Sequence, residues 1–294
     1  MADGLYLDHV LIAVRDLDQT AWTYGDALGF SVTPEGLHPG RGSHNRLVVF
    51  GPGYLELISV RDPTQVLFRP NMVPFLASRE GLFVFAMGTD DVDGWHRRLT
   101  ELGVSVREPV DGSRQASDGG AAYSWRQAEI APGETPGGQT FVIRHDQTVA
   151  ERYSEPPEPT RHANGVTGIH HLALAVFDVE AAAKRWQQLF GFEAAPAEDL
   201  SGQGVRRVRL DLGNSYLDLV SAVAQGPLRD FLVRTGEAPY ELGLQVADVA
   251  ATAARLAQGD VPTLDVTAEA GRPAVRVASE HTHGVPLVLL QSGD

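Results

Sequence analysis

The chain has 294 residues, of which 43% are hydrophobic and 21% are charged, and its formal net charge is −14. At this length we expect two domains, and the acidic balance argues against a nucleic-acid partner, which requires clustered lysine and arginine. The absence of cysteine excludes disulfides, thiolate metal ligands and cysteine nucleophiles.

The first predicted unit begins with LDHVLIAVRDLDQTAWTYGDALGF, at residues 7–30. Its apolar alternation predicts a strand, and the amphipathic segment that follows predicts a helix over residues 18–28. Either Asp16 or Asp18 can cap this helix, because a short acceptor satisfies the free N–H groups at a helix start. Short strands separated by the turns PGRG and GPG then follow, at residues 30–37, 45–50 and 54–60. The unit therefore has the order β-α-β-β-β.

The same pattern returns at a constant offset of 162 residues. The stretch IHHLALAVFDVEAAAKRWQQLFGF, at residues 169–192, aligns without a gap with the first stretch, so that His9 corresponds to His171. The register persists into the fourth strands, where YLELI and YLDLV align Glu56 with Asp218. A register kept over so long a stretch indicates a duplication.

Two weaker copies complete the repeat. GLFVFAMGTDDVDGWHRRLTELGV at residues 81–104 and YELGLQVADVAATAARLAQGDV at residues 240–261 each predict a strand, an Asp-Val turn and a helix with one apolar stripe. The four units pair in sequence into a first domain over residues 5–146 and a second over residues 167–293. The segment 147–166 is rich in proline, glutamate and polar residues, which is typical of a surface linker.

Four β-α-β-β-β units with a histidine in the first strand and an acid in the fourth resemble the vicinal oxygen chelate superfamily. That superfamily includes glyoxalase I, the extradiol dioxygenases, and the bleomycin and fosfomycin resistance proteins. The resemblance covers the chain except for the linker, and LHPGRGSHNRLVVFGPGYLELIS at residues 37–59 is similar to glyoxalase-like domains. It implies an α+β fold of four βαβββ units paired into two domains, each a curled mixed β-sheet cup flanked by helices. A divalent metal, where present, is held by the first and fourth strands of paired units.

In the second domain this resemblance implies a metal site. His171 matches the superfamily's ligand position, and the alternation of side chains along a strand predicts that His170 faces the other way. Asp218 and Glu241 match two further ligand positions, whereas Val288 stands where the family often has glutamate. One imidazole and two carboxylates suit iron, manganese or magnesium, and could also accept zinc or nickel.

In the first domain the resemblance implies metal ligands at His9 and Glu56. The corresponding strands of the second unit supply no acid and place Val84 at the first-strand position. Two ligands rarely hold a divalent ion against water. Either His38 or His44 could complete the site.

The stretch HPGRGSHN and the tyrosines of the fourth strands predict substrate contacts. His44, Asn45 and Arg46 could bind an anionic or enol-type substrate, because a guanidinium fork and backbone N–H groups favour carboxylates and phosphates. Tyr54 and its counterpart Tyr216 offer aromatic rings to a ligand in the cup. We therefore predict these five residues to bind substrate.

Non-metal explanations for the same residues stay open. A buried carboxylate is costly unless it is paired, and a salt bridge from Arg207 or Arg209 could pair Asp218 without a metal. His9 and His171 could be satisfied polar residues left by the duplication. Slippage of the weaker alignment by one residue would turn Glu241 outward.

Three functions follow from this reasoning. The first is metal-dependent lyase or isomerase chemistry on a substrate with vicinal oxygens, in which Glu56 or Glu241 moves the proton. The missing second histidine disfavours ring cleavage of the extradiol dioxygenase kind. The second function is metal-free sequestering of a small molecule, as in the bleomycin resistance proteins. In the third, one half is active and the other is a degenerate packing partner.

The expected partner is a small-molecule substrate or ligand, with no nucleic acid and no membrane. No apolar run reaches 18 residues, and the N-terminal MADGLYLDHV lacks a signal-peptide pattern, so we expect a cytoplasmic protein. A chain whose halves close their own cups is compatible with a monomer or a homodimer.

Overall fold

The protein is described by a computed structural model. It covers residues 4–51, 53–65, 68–117, 122–152, 160–200, 202–267 and 271–293. The centre of the predicted linker, residues 153–159, lies outside the described residues. No helix in the part of the chain covered by the structure has the length and apolarity needed to span a membrane.

The secondary structure alternates strands and helices from end to end. The strands are β1 (Tyr6–Ala13), β2 (Gly36–His38), β3 (Ser43–Val49), β4 (Tyr54–Val60), β5 (Gly81–Gly88), β6 (Val110–Ala116), β7 (Ala122–Glu129), β8 (Thr140–His145), β9 (Val166–Ala175), β10 (Glu193–Ala194), β11 (Glu198–Leu200), β12 (Val205–Asp211), β13 (Tyr216–Ala222), β14 (Ala238–Val246), β15 (Thr263–Thr267), β16 (Pro273–Val277) and β17 (Leu287–Gln291). The helices are α1 (Leu17–Trp22), α2 (Met72–Ser78), α3 (Val92–Glu101), α4 (Val149–Arg152), α5 (Val179–Phe190), α6 (Pro227–Thr235) and α7 (Val249–Gln258). A π-helical turn, Thr23–Ala27, continues α1.

The strands form two mixed sheets, of which one is closed into a barrel and the other is open. β1 to β8 close into a barrel in the order β1-β4-β3-β2-β6-β7-β8-β5. β9 to β17 form an open nine-stranded sheet with the path β10-β12-β13-β9-β14-β17-β16-β15, and β11 pairs with β12. In both sheets the first strand of one unit runs antiparallel to the first strand of the next, as β1 pairs with β5 and β9 with β14. These curled sheets flanked by helices confirm the predicted α+β fold.

Each repeated helix starts at an equivalent aspartate. The side chain of the capping residue accepts a hydrogen bond from the backbone N–H three residues later, which satisfies a donor that the helix itself leaves free. The four capping residues are Asp16, Asp91, Asp178 and Asp248. Of the two candidates in the first unit, the structure therefore selects Asp16.

One continuous hydrophobic core joins the two halves. Trp186 on α5 packs against Phe85 on β5 with ring centroids 6.0 Å apart, and Phe190 on α5 packs against Trp95 on α3 at 5.8 Å. Buried aromatic pairs of this kind contribute both apolar area and specific ring geometry. The halves therefore stabilise each other through their helices, and each sheet keeps its other face for a cavity.

A β-bulge interrupts the first strand of each half at the same repeat position. On β1, Leu7 and His9 pair with two consecutive residues of β5, so that Asp8 has no partner. On β9, Ile169 and His171 pair in the same way with two consecutive residues of β14. Asp8 and His170 are thus the extra residues, and a bulge breaks the strict alternation of side chains. The expectation that His170 faces away from His171 is wrong for this reason, since the two Nδ1 atoms lie 2.8 Å apart.

The backbone contact between the halves tolerates no side chain at Gly81. Its φ is +125°, and a Cβ added there would lie 2.8 Å from the carbonyl oxygen of Gly284. We expect Gly81→Ala to lower the free energy of unfolding by about 3 kcal/mol, through backbone strain and overpacking. Gly40→Ala is the matched control, because Gly40 has φ +71° with nothing within 4 Å, and it should cost about 1 kcal/mol. Equal losses in denaturant titrations of the two variants would contradict a close contact at Gly81.

Candidate functional site

The barrel encloses a cavity of about 60 Å³ that is rich in titratable and aromatic side chains. Its lining includes His9, His38, His145, Glu56, Arg41, Arg69, Arg114, Arg152, Tyr54, Phe68, Tyr123, Trp125 and Phe141. Four guanidinium groups thus surround a single carboxylate among the described lining residues. We refer to this space as the barrel cavity.

Three buried side chains, Asp8, His9 and Glu56, lie in a row at one end of the barrel cavity, which we call its floor. His9 Nδ1 donates a hydrogen bond to Asp8 Oδ1 at 2.6 Å, and His9 Nε2 lies 3.5 Å from Glu56 Oε2. Tyr54 stacks on the His9 ring, with centroids 4.3 Å apart and an interplanar angle of 12°. Because Nδ1–H donates its hydrogen bond to Asp8, Nε2 is the nitrogen that His9 presents to Glu56 and to a ligand.

The other oxygen of Glu56 is held from a neighbouring strand. Asn45 Nδ2 donates to Glu56 Oε1 at 2.7 Å, and Arg114 Nε donates to Asn45 Oδ1 at 2.8 Å. The second contact fixes which end of the Asn45 amide faces Glu56. His38 Nε2 lies 3.6 Å from Glu56 Oε1 and 3.1 Å from Asn45 Nδ2.

These contacts and their burial shift the pKa values of Glu56, His9 and His38. Burial opposes ionisation of Glu56, but the hydrogen bond from His9 and the neighbouring imidazole and guanidinium groups lower its pKa to about 2. Burial also opposes protonation of His9, but its contacts with Asp8 and Glu56 raise its pKa above the ordinary value. By contrast, burial lowers the pKa of His38 to about 4. The floor therefore carries an ionised carboxylate and a neutral His38 at neutral pH.

We expect Asp8→Asn to lower the pKa of His9 in metal-free protein. The amide keeps a hydrogen-bond acceptor near Nδ1 but removes the charge that favours the imidazolium. In the native protein the contribution of protonated His9 to the free energy of unfolding is complete below the pKa of free imidazole, about 6.5. It is lost as the pH rises through the higher pKa that His9 has in the folded state. Titration of the His9 ring by NMR measures the shift, with Asp18→Asn as the control. An unchanged pKa in Asp8→Asn would contradict the role of Asp8.

A second carboxylate–imidazole contact extends the same network. His145 Nε2 donates to Asp8 Oδ1 at 3.1 Å, whereas Asp8 Oδ2 has no hydrogen-bond partner among the described residues. Asp8, His9 and His145 form the one described group whose three ligand atoms all lie within 4.8 Å of one another. A histidine pair with one carboxylate is a donor set for iron, manganese or zinc. His9 therefore belongs to two sets of possible metal ligands, one with Glu56 and one with Asp8 and His145.

The predicted substrate residues of β3 divide between its two faces. Asn45 and Tyr54 line the barrel cavity. His44 and Arg46 do not, because neighbours along a strand point to opposite faces. His44 Nδ1 instead lies 2.6 Å from Glu35 Oε1, and Arg46 pairs with the exposed Asp18 at 2.9 Å.

Sequence reasoning missed most of the residues that surround Glu56. Arg69, Arg114 and His145 come from the end of the first unit and from the second unit. The weaker repeat gave no signal for them, because Arg69 lies outside the strands and because β6 and β8 join the sheet of β1 and β4 only through the other strands of the barrel. Asp8 had a signal in its position beside His9, but the strict alternation of side chains that was expected for its counterpart His170 would turn it away from the cavity.

The open sheet of the second half carries a much larger cleft, of about 690 Å³. We refer to it as the C-terminal cleft, and its lining includes His171, Asp218, Glu241, Val288, Arg207, Arg209, Arg229 and Arg276. Tyr216 is not among these residues, and its ring packs against the guanidinium of Arg209 at 4.5 Å. Glu241 lines the cleft.

The two carboxylates of the C-terminal cleft are held by arginines. Asp218 Oδ1 accepts from Arg209 Nε at 2.7 Å, and Oδ2 accepts from Arg209 Nη2 at 2.7 Å and from Arg207 Nη1 at 3.2 Å. Glu241 pairs with Arg276 at 2.9 Å. The metal ligands predicted here, His171 with these two acids, do not form a group within 4.8 Å among the described residues. The salt bridges that the sequence offered as the non-metal alternative are thus present.

Comparisons with known proteins place both halves in related families. A family described as a glyoxalase-like domain matches residues 7–190, and the glyoxalase/bleomycin resistance protein/dioxygenase superfamily matches residues 170–278. An ethylmalonyl-CoA/methylmalonyl-CoA epimerase from Cereibacter sphaeroides is 27% identical over 128 residues, which is 43% of this chain and 89% of that protein.

Two solved structures are similar over nearly the whole chain. A hypothetical protein from Staphylococcus aureus has a TM-score of 0.70 and 13% identity, with coverage of 98% of this chain and 100% of that one. A mutant of 4-hydroxymandelate synthase from Streptomyces coelicolor has a TM-score of 0.73 and 15% identity, with coverage of 99% and 93%. At these identities the likeness shows the fold alone.

Proposed function

Because the chain belongs to the glyoxalase-like domain family of the vicinal oxygen chelate superfamily, we propose that it is a small-molecule enzyme that works in the barrel cavity. The reaction is proton transfer at a carbon next to a carbonyl group, as in lyases and isomerases of the glyoxalase kind. One observation carries this proposal. Glu56, an ionised carboxylate, faces His9 Nε2 inside a cavity whose other charged lining groups are cationic.

The cations of the barrel cavity select an anionic substrate with vicinal oxygens. Arg69 Nη2 donates to Glu129 at 2.6 Å, and its guanidinium lies 4.3 Å from the Phe141 ring, but its buried Nε has no hydrogen-bond partner among the described residues. A substrate carboxylate would satisfy this donor and benefit from a charge-assisted hydrogen bond. The cavity's small volume favours a substrate of few atoms in its reacting part.

Glu56 is the group placed to accept the substrate's proton. Its low pKa keeps it ionised at neutral pH but makes it a weak base. Proton transfer to it therefore requires that the surrounding positive charge stabilise the enolate as it forms. Asn45, oriented by Arg114, holds one carboxylate oxygen, so that the other remains directed at His9 and the substrate.

The residues of the barrel cavity fit a divalent metal by type. His9 Nε2 and Glu56, 3.5 Å apart, would hold the ion, although among the described residues the three ligand atoms that lie within 4.8 Å of one another belong to Asp8, His9 and His145. Asp8 bonds the back of His9, as a carboxylate commonly does behind a metal-binding imidazole. When bound, iron, manganese, zinc, nickel or magnesium supplies a Lewis acid that polarises the substrate's oxygens.

Proton exchange with solvent tests the proposed reaction directly. Protein supplemented with divalent metal is incubated in deuterium oxide with 2-oxobutanoate or methylmalonyl-CoA, and loss of the acidic C–H signal is followed by NMR. The first probe carries vicinal oxygens in its keto and carboxylate groups, and the second is one of the two compounds in the name of the similar epimerase. We expect exchange above that of heat-denatured protein for one of the two. Background exchange with both would contradict the proposed reaction.

A further inference from the structure

We infer that the C-terminal cleft is a second binding site, which takes an organic anion with an apolar body and needs no metal. The inference is independent of the reaction proposed for the barrel cavity. It rests on the size of the cleft, the ion pairs of its acids, its excess of arginines and its apolar wall.

The C-terminal cleft has the dimensions of a ligand site. Its volume of about 690 Å³ compares with about 60 Å³ for the barrel cavity, because the second sheet stays open where the first closes. Pockets for organic molecules commonly measure about 300–1,000 Å³. The ligand of the second half is therefore larger than the reacting group that fits in the barrel.

Both acids of the C-terminal cleft lie beside arginines, Asp218 through hydrogen bonds and Glu241 through an ion pair in which its buried Oε2 accepts no hydrogen bond among the described residues. Both oxygens of Asp218 accept hydrogen bonds from Arg209, and one also accepts from Arg207. Glu241 is paired with Arg276, and Val288 offers no ligand atom. A metal ion would have to displace these guanidinium groups, so the donor set does not fit a divalent metal.

Positive charge exceeds negative charge along the described lining. Four arginines face two carboxylates there, although the whole chain carries a formal charge of −14. Arg276 combines its ion pair to Glu241 with an Nε that has no hydrogen-bond partner among the described residues. A cleft with this balance concentrates anions, and the planar guanidinium fork favours carboxylate, sulfonate or phosphate groups.

Apolar side chains make up a large part of the remaining wall and suit the body of such an anion. They include Val205, Val220, Leu228, Val288 and Leu290. Val288, which stands where metal-binding relatives often carry glutamate, therefore belongs to the apolar surface. Apolar walls with a few placed polar groups are typical of sites for small organic ligands.

The test uses 8-anilinonaphthalene-1-sulfonate, whose fluorescence rises in apolar surroundings. Its neutral analogue N-phenyl-1-naphthylamine has the same type of apolar body without the sulfonate. We expect saturable binding of the sulfonate that is about fivefold tighter than that of the analogue and unchanged by a chelator. Equal affinity for the two probes, loss of binding in chelator, or no saturable binding would each overturn the inference.

Neighbouring arginines of β12 provide matched variants. Arg207→Gln removes a guanidinium that lines the cleft and also pairs with Glu198, while Asp218 keeps both bonds to Arg209, and we expect about fivefold weaker sulfonate binding. Arg206→Gln removes the same charge from a residue that pairs with Glu180 and Asp199 outside the cleft, and should change affinity less than about twofold. Ala222→Trp, which fills the cleft rim, should abolish saturable binding. Equal effects of the two arginine variants, or full binding in Ala222→Trp, would place the probe elsewhere.

Discussion

Replacing Glu56 by glutamine is expected to slow solvent proton exchange about 10²- to 10⁴-fold, the usual contribution of a general base. The amide keeps the size of the side chain but cannot accept the substrate's proton. The measurement is the deuterium-exchange rate by NMR, at saturating probe, in native and variant protein.

Glu35→Gln is the matched control for this variant. Glu35 contacts His44, which does not line the cavity, so the same chemical change there should leave the exchange rate within about twofold. Thermal melting of both variants shows whether the fold is kept. A Glu56→Gln protein that is folded and exchanges at the native rate would contradict the role of Glu56 as the base.

Replacing Arg209 by methionine is expected to lower the free energy of unfolding by about 3 kcal/mol, because it leaves the buried Asp218 with only the longer contact to Arg207. The double variant Arg209→Met with Asp218→Leu removes both charges. It should return to within about 1 kcal/mol of the native protein, since a buried ion pair replaced by apolar groups costs little. Denaturant titrations of the two variants measure these differences.

A double-mutant cycle decides whether the pair acts as a unit. A double variant as unstable as Arg209→Met alone would show that Asp218 is not the reason for the loss. Such a result would remove the structural basis for treating the C-terminal cleft as a site without metal.

The fold was predictable because the repeated residues include the helix caps and the apolar strand positions that each unit needs in order to fold. Asp16 and Asp178 cap equivalent helices, and the apolar strands that precede them occupy the same place in each sheet. The candidate ligands His9 and Glu56 followed from the same alignment. Their contacts inside the barrel agree with their placement on neighbouring parallel strands.

The rest of the site depends on β-bulges and on long-range strand pairing, which the repeat pattern of the sequence does not reveal. The bulges at Asp8 and His170 change which face a side chain takes, and no residue type in the sequence marks them. Arg114 reaches Asn45 only because β2 pairs with β6 when the barrel closes. The difference between a closed and an open sheet also arises from long-range pairing, and it sets the sizes of the two cavities.

The most direct test of this account is to locate bound metal by anomalous diffraction from crystals grown with manganese chloride. We predict one anomalous peak per chain, in the barrel cavity, within bonding distance of His9, and none beside Asp218 in the C-terminal cleft. The arginine pairs of Asp218 are the physical reason for the second part of the prediction. A peak bound by His171, Asp218 and Glu241, with none at His9, would contradict the account.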